Sequence, residues 1–285
     1  MIKLFNYFIQ SILIYIFFLI GRMIGLNQSR KLFAFVFLKT GMLFKSKSII
    51  NKNLNTFSSN IDYREREKII KNMWRNYGMT FIEYIFLGFF RKSNSHIKIE
   101  GVNNLNNILK KDKPVIFVSG HFANYELMSM EITKKNIKLA TIYRPLNNYF
   151  LNPFMEYLRK RFVCHNQIKK GIKGVREAIQ YLKKGFSIAL MIDQRVSEGE
   201  KINFFGKPAF TTTLPAQLAL KYNLSICPVH IERTNENNFI IRFLNEIKAS
   251  DFKGKIDVTE KLNQVLEQMI SMKPDQWIWT HNRWK

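Results

Sequence analysis

The chain has 285 residues, of which 46% are apolar, so it can form a folded core and is not a disordered protein. Its formal net charge of +24 favours an anionic partner, namely nucleic acid, an anionic membrane surface or an acidic substrate, although a general lysine enrichment would give the same charge. The two cysteines, Cys164 and Cys227, are far apart in the sequence, which argues against a disulfide framework and against a zinc site.

The N-terminal segment is predicted to anchor the protein in a membrane. No charged residue occurs from Leu4 to Gly21, and this stretch is about long enough to cross the hydrocarbon core of a bilayer. A small-residue cleavage site does not follow it, which favours an uncleaved anchor over a secretory signal peptide. One basic residue precedes the segment and many follow it, so the positive-inside rule predicts that the rest of the chain faces the cytoplasm.

The next part of the sequence is predicted to be helical. An apolar stretch at 32–44, interrupted by Lys39, is too short to span a bilayer and is expected to lie in the interface or to pack on the body of the protein. Asp62 and Glu65 have the spacing of a helix capping box. Beyond them, apolar residues recur at helical spacing from Ile69 to Tyr77, which predicts a long amphipathic helix.

From His96 onward the pattern changes to alternating strands and helices. Apolar runs predict strands at 96–99, 114–118, 138–143, 186–192, 224–231 and 239–244. Helices are predicted at 126–132, 154–162, 175–184, 214–222 and 258–271. This alternation predicts an α/β fold with a mainly parallel central sheet flanked by helices. The chain therefore divides into a membrane anchor (1–26), a helical membrane-proximal region (27–95) and an α/β body (96–285).

The stretch SGHFANYE contains a candidate catalytic pair. His121 follows a buried strand, and ligands of parallel sheets gather at the carboxyl ends of the strands. Glu126 lies five residues later, so the two side chains can meet only if His121 is in the loop and Glu126 is in the first helical turn, with Asn124 as the N-cap. Glu126 would then orient His121 as a general base. A polar loop that contains both residues by chance remains the alternative.

Several blocks in fixed order strengthen the catalytic interpretation. GHFANYE resembles the H-x4-D/E block of the bacterial lipid A late acyltransferases, the lauroyl/myristoyl acyltransferase family, with Ala123 and Tyr125 in place of Gly and Trp. The other matching stretches are YRP with Asn147, Arg159 and Arg161, LKKG at 182–185, Asp193-Gln194, FFGKPA at 204–209, TTT at 211–213 and PDQWIWTHNRW at 274–284. The resemblance covers nearly the whole chain and implies a glycerol-3-phosphate acyltransferase-like α/β fold.

The resemblance also implies roles for individual residues. His121 and Glu126 would be the catalytic base and its orienting acid, and Arg159 would supply positive charge near the developing oxyanion or the substrate phosphates. Substrate-binding residues would be Arg144, Asn147, Asp193 and Gln194, with Arg144 on phosphate and Asp193 holding one of the arginines. The aromatic residues of the terminal block are expected to be packing residues. We expect no metal and no cofactor.

The resemblance further implies the partners. An acyl chain would pass from acyl carrier protein to a hydroxyl of a phosphorylated lipid A precursor at the bacterial inner membrane, with the catalytic body in the cytoplasm. Acyl carrier protein, the phosphorylated acceptor and the anionic membrane are all acidic, so the net charge of +24 would favour binding to each of them. Two alternatives remain at this stage: an acyltransferase for another glycolipid or aminolipid, and a non-catalytic basic protein that binds membranes or nucleic acid. The sequence has no recognisable nucleic-acid-binding motif, and we expect no nucleic-acid partner.

Overall fold

The N-terminal part of the protein is helical, as its hydrophobic spacing predicts. The structure is a computed structural model that describes residues 2–285. Its first helices are α1 (Ile2–Phe44), α2 (Lys47–Phe57), α3 (Tyr63–Glu83) and, after a 3₁₀ turn at Tyr84–Phe86, α4 (Leu87–Lys92). The side chain of Asp62 accepts a hydrogen bond from the amide of Glu65, which confirms the predicted N-terminal cap of α3.

Helix α1 is broken once. Gly25 has φ 78° and ψ 168°, a conformation that glycine adopts without strain. The part of α1 that follows this break packs on α3. The contact is close, because a Cβ added at Gly78 would lie 2.2 Å from the carbonyl oxygen of Phe33. Of the two positions considered for the apolar stretch at 32–44, packing on the body is therefore the one observed.

The remainder of the chain alternates strands with helices. The strands are β1 (Ile97–Glu100), β2 (Val115–Ser119), β3 (Leu139–Tyr143), β4 (Asn166–Lys169), β5 (Ser187–Met191), β6 (Glu200–Phe204), β7 (Lys207–Thr211), β8 (Ser225–Arg233), β9 (Phe239–Phe243) and β10 (Ile247–Lys248). The helices are α5 (Val102–Leu109), α6 (Glu126–Lys134), α7 (Asn152–Leu158), α8 (Ile172–Lys183), α9 (Leu214–Tyr222) and α10 (Lys255–Met272).

The central sheet has the order β1-β9-β8-β2-β5-β3-β4, with β10 also paired to β8. The β8–β9 and β8–β10 pairs are antiparallel and the other pairs of this sheet are parallel. The predicted α/β fold with a mainly parallel sheet is thus confirmed. The sequence prediction missed β4, β10 and the β6–β7 hairpin, and the helix predicted at 154–162 ends at Leu158 and continues as a π-helical turn at Arg159–Val163.

The sheet topology determines which residues can meet at the site. Strands β2 and β5 are parallel neighbours, with Ser119 opposite Met191 at their carboxyl ends. All five residues of β2 are buried, as expected for a central strand covered on both faces. The residues that leave these two strands, including His121 and Asp193, are therefore brought to the same edge of the sheet.

Candidate active site

His121 and Asp193 form the central pair of the site. Nδ1 of His121 lies 2.7 Å from one carboxylate oxygen of Asp193, and the backbone amide of His121 donates to the other oxygen at 2.8 Å. The indole Nε1 of Trp277 donates to that second oxygen as well, at 2.9 Å. Because the carboxylate is held by three donors from two segments, the imidazole has one defined orientation.

The electrostatics of this pair fix the imidazole tautomer. Burial on its own would raise the pKa of Asp193, but the charge of His121 and the three hydrogen bonds outweigh it and lower the pKa to about 2. An ionised carboxylate only accepts hydrogen bonds, so Nδ1 of His121 carries a proton. In a neutral imidazole, Nε2 is then the free acceptor, which is the state required of a general base.

The expected hydrogen bond between His121 and Glu126 is not formed. His121 does lie in the loop and Glu126 does begin α6, so the geometric condition is met. The partners recorded for the Glu126 carboxylate are instead Tyr84, whose hydroxyl donates at 2.5 Å, and Arg159, which approaches at 2.8 Å. The expectation that Glu126 would contact and orient His121 is thus wrong. The physical reason is the strand order, since β5 lies beside β2 and delivers Asp193 to the imidazole.

Glu126, Arg159 and Tyr84 form a second group, here called the cavity cluster. Nη2 of Arg159 donates to the Tyr84 hydroxyl at 2.9 Å, and that hydroxyl donates to Glu126. Burial alone would lower the pKa of Arg159, but the negative charge of Glu126 outweighs it, and the pKa is raised. This guanidinium therefore stays charged. Its Nη1 is buried and has no hydrogen-bond partner among the residues that the structure describes. The partners of Asp193 are His121 and Trp277, so the expectation that it would hold one of the two arginines, Arg144 or Arg159, is wrong.

A third group, the rear cluster, holds the loop that carries His121 from behind. Both oxygens of Glu83 are contacted by Arg233, one of them also by Arg30 at 2.6 Å and the other by Asn124 at 2.9 Å. Glu83 is fully buried, which would raise its pKa, but the two arginines lower it. Asn124 was predicted to cap α6. It donates to Glu83 instead, and Tyr125 precedes the first residue of the helix.

The loop that carries His121 is fixed at a further point. The amide of Ala123 donates to the carbonyl of Gln276 at 3.2 Å, and its carbonyl accepts from the hydroxyl of Thr80 at 2.9 Å. Ala123 has φ 43°, in the left-handed region that glycine occupies more easily. The C-terminal segment and α3 thus hold the loop in a strained conformation, at the position where the family motif carries glycine.

These residues surround a cavity of about 380 Å³. The residues singled out from the sequence that line it are His121, Glu126, Arg144, Asn147, Arg159 and Gln194. Asp193 is buried behind the imidazole. A second cavity of about 230 Å³ adjoins the first and shares Arg159 with it. The lining of this second cavity is mostly apolar and includes Phe18, Phe81, Leu151 and Met155.

Comparisons with known proteins assign the chain to a family. A family model described as bacterial lipid A biosynthesis acyltransferase matches residues 2–285. The chain belongs to this family. The lipid A biosynthesis palmitoleoyltransferase of Escherichia coli (strain K12) is 26% identical over 253 residues, 85% of this chain and 80% of the relative. The lipid A biosynthesis lauroyltransferase of the same strain is 22% identical over 243 residues, 83% of this chain and 78% of the relative.

Two further similarities are to a third lipid A acyltransferase and to a solved structure. The lipid A biosynthesis acyltransferase of Haemophilus influenzae is 24% identical over 245 residues, 84% of this chain and 77% of the relative. The crystal structure of the 1-acyl-sn-glycerophosphate acyltransferase PlsC from Thermotoga maritima superimposes with a TM-score of 0.42 at 15% identity. That comparison covers 89% of this chain and 100% of the other.

Membership of this family makes the protein an acyltransferase of lipid A biosynthesis. Its apolar N-terminal helix, Ile2–Leu43, is long enough to cross a membrane and contains a window with a mean hydropathy of 1.9. Only 17% of that window is buried in the protein. A helix of this kind favours membrane association.

Sequence reasoning missed two residues of the candidate site and gave a third the wrong partner. Trp277 was treated as a packing residue, yet its indole holds Asp193. Tyr84 was hidden in an apolar run, and only its contact with Glu126 and Arg159 reveals it. Asp193 itself was singled out, but with the wrong partner. A signal for its true partner was present, since Asp193 and His121 each follow an apolar strand by a similar distance.

Proposed function

We propose that this protein transfers a fatty acyl chain from acyl carrier protein to a hydroxyl of a phosphorylated lipid A precursor, with His121 as general base. The observation that carries the proposal is the His121–Asp193 pair at the edge of the cavity. A buried carboxylate on Nδ1 leaves Nε2 available to a substrate, and Asp193 takes the orienting role that the sequence had given to Glu126.

The reaction needs no nucleophile from the protein. Nε2 of His121 takes the proton of the acceptor hydroxyl while the hydroxyl oxygen attacks the carbonyl carbon of the acyl thioester. The tetrahedral intermediate then expels the thiolate of the donor by breaking the C–S bond, and the imidazolium returns the proton to that sulfur. Asp193 stabilises the imidazolium between these two steps.

Arg159 is the group best placed to stabilise negative charge. Its Nη1 has no partner among the described residues, and the side chain lies in the wall shared by the two cavities. A preorganised donor in a buried wall is more effective than one in water. We assign Glu126 and Tyr84 the task of holding this guanidinium, which makes Glu126 a positioning residue for Arg159 rather than for His121.

The two cavities suit two parts of the substrates. Arg144 is exposed in the lining of the polar cavity, and a guanidinium binds phosphate in bidentate fashion. The apolar cavity suits the acyl chain, which would pass beside Arg159 and place its thioester near His121. Asn147 and Gln194 line the polar cavity and are proposed to bind the acceptor.

The surroundings support a membrane enzyme. We propose that residues 1–26 anchor it to the bacterial inner membrane, that 27–95 form a membrane-proximal helical region and that the body at 96–285 faces the cytoplasm. The net charge of +24 would draw both the anionic membrane and the acidic carrier protein to the enzyme.

The test is an acyl-transfer assay with the full-length protein in detergent, read by mass spectrometry of the lipid product. We expect one acyl group to be added to a phosphorylated lipid A precursor when acyl carrier protein is the donor. Transfer from acyl-coenzyme A alone would overturn the donor, and transfer only to another glycolipid or an aminolipid would overturn the acceptor. A dephosphorylated precursor serves as the control, and we expect replacement of Arg144 to raise the KM of the phosphorylated form alone.

A further inference from the structure

The first half of α1 lies beside the candidate site, and its Phe18 lines the apolar cavity. Tyr7, Ser11, Tyr15 and Phe18 lie four, four and three residues apart, which places them on one face of a helix about 16 Å long. This face packs along residues 148–154. Ring pairs join Tyr15 and Phe18 to Phe154, with centroid distances of 5.6 and 6.0 Å.

Asn148 joins the helix to this loop through hydrogen bonds. Its side-chain amide Nδ2 donates to the carbonyl of Tyr7 at 2.8 Å, and its Oδ1 lies 2.8 Å from the hydroxyl of Ser11. The same oxygen accepts from the backbone amides of Phe150 and Leu151, at 3.0 and 3.2 Å. One side chain therefore both shapes the loop and fastens it to α1.

Burial makes this arrangement specific. Ser11 is 2% exposed and Asn148 is 9% exposed, although the helix around them is apolar. A polar group taken out of water is destabilising unless it is hydrogen-bonded, so these two side chains favour one position of the helix on the loop. The hydroxyl of Tyr15 also donates to the carbonyl of Phe150 at 2.8 Å, one helical turn further along α1.

The fastened loop belongs to the polar cavity. Residues 143–147, which include Arg144 and Asn147, line that cavity together with His121. The amide of Leu146 is held by the side chain of Asn152, at the start of α7. The segment between β3 and α7 is thus held by α7 near the cavity and by the N-terminal helix just after it.

We propose that α1 is a positioning element of the acceptor-binding loop, and that Asn148 and Ser11 transmit its position to Arg144 and Asn147. This inference rests on the proposed function for the identity of the acceptor. It gives the N-terminal helix a role beyond attachment, because the loop has its binding geometry only while the helix lies against it.

The kinetic test uses Asn148→Asp, which has nearly the same shape. The aspartate keeps an oxygen for the amides of Phe150 and Leu151 but replaces the NH₂ that donates to Tyr7. We expect the KM for the phosphorylated acceptor to rise at least about fivefold, since the hydrogen bond to Tyr7 is lost and a carboxylate oxygen then faces its carbonyl oxygen, while kcat stays within about twofold. Ser11→Ala should change KM in the same direction from the helix side.

The control carries the same change of charge elsewhere. Asn107→Asp alters an exposed residue of α5 that lines neither cavity, and its KM should equal that of the wild type. A wild-type KM in both Asn148→Asp and Ser11→Ala would overturn the proposal. So would a loss of kcat without a change of KM, because that would point to the base rather than to the loop.

A second measurement is independent of activity. Hydrogen exchange, read by mass spectrometry on the full-length protein in detergent, should become about tenfold faster at 144–151 in Asn148→Asp than in Asn107→Asp. Peptides from β2 and β5 should not change. Unaltered exchange at 144–151 would overturn the inference even if acyl transfer occurs. If wild-type protein transfers no acyl chain, the proposed function fails, and the exchange result still decides whether α1 positions the loop.

Discussion

Two carboxylate–arginine groups flank the catalytic loop, and they differ in what they can reach. Glu83 of the rear cluster is 0% exposed and lines neither cavity, and its two oxygens are contacted by Arg30, Arg233 and Asn124. Glu126 of the cavity cluster and its partner Arg159 both line the polar cavity. Each cluster has one buried guanidinium nitrogen without a hydrogen-bond partner among the described residues, Nη1 of Arg159 and Nη2 of Arg30. The rear cluster lies away from both cavities and holds the loop, whereas the cavity cluster lines the space that a ligand would occupy.

Residues that hold the fold and residues that line the site can be of the same types, but their removal has different consequences. Buried ion pairs contribute little net stability, but removal of one partner leaves an uncompensated charge in the protein interior. In the rear cluster that charge would disrupt the loop, α3 and β8 together. In the cavity cluster it would mainly misplace Arg159. The same substitution, glutamate to alanine, should therefore affect folding in one group and catalysis in the other.

The largest effect is expected at His121, the proposed base, and at its partner Asp193. His121→Ala and Asp193→Asn should each lower kcat by about 10³–10⁴, because the first removes the proton acceptor and the second permits the wrong tautomer. The melting temperature of His121→Ala should fall by only a few degrees, since the Asp193 carboxylate loses the imidazole but keeps the indole of Trp277 and the backbone amide at 121 as donors. Substantial residual turnover in His121→Ala, measured by mass spectrometry of the product, would remove His121 from this role.

Glu83→Ala tests whether the rear cluster stabilises the fold. We expect it to lower the free energy of unfolding by about 3–5 kcal/mol, since Arg30 and Arg233 would be left buried together without a carboxylate. For a chain of this size that corresponds to a fall in melting temperature of roughly 10 °C. Thermal unfolding in detergent measures it. A melting temperature equal to that of Glu126→Ala would show that the two groups do not differ as described.

Glu126→Ala is the matched variant on the cavity side. It frees Arg159 and Tyr84 from their shared acceptor, and we expect kcat/KM to fall about 10²-fold while the melting temperature falls less than in Glu83→Ala. Glu126→Gln, which keeps an acceptor oxygen, should recover part of the rate. A near-normal rate in Glu126→Ala would mean that the cavity cluster, like the rear cluster, only stabilises the fold, and that Glu126 does not position Arg159 for the reaction.

The strands that could be predicted from the sequence are those marked by a local pattern of apolar residues. The strands from Val115 and Ser187 were found because each is a short apolar run, as expected for buried parallel strands. Strand β4 (NQIK) and the hairpin β6–β7 were missed because their polar and charged residues hide the pattern, and Pro208 argues against a central strand.

The site shows the same limit. His121 was placed correctly after a strand, since Gly120 and the apolar run before it are local features. Its partner depends on which strand lies beside β2, and the strand order is decided by long-range packing that the sequence does not display. The five-residue spacing favoured Glu126, whereas β5, more than sixty positions later, provides Asp193. Nearness in sequence was therefore a poor guide to the hydrogen bond.

The smallest predicted effect is on the pH dependence of the free energy of unfolding. It reports on Asp193 separately from Glu83 and Glu126. Its pKa of about 2 lies below the usual 3.8, so its ionised form stabilises the folded state. This contribution, about 2 kcal/mol, is complete above pH 4 and is lost as the pH falls towards 2. The free energy of unfolding of the wild type should therefore decrease more steeply between pH 4 and pH 2 than that of Asp193→Asn. Urea unfolding in detergent at several pH values measures the slope. Because Glu83 and Glu126 are present in both proteins, parallel slopes would mean that the His121–Asp193 pair does not hold the ionised carboxylate.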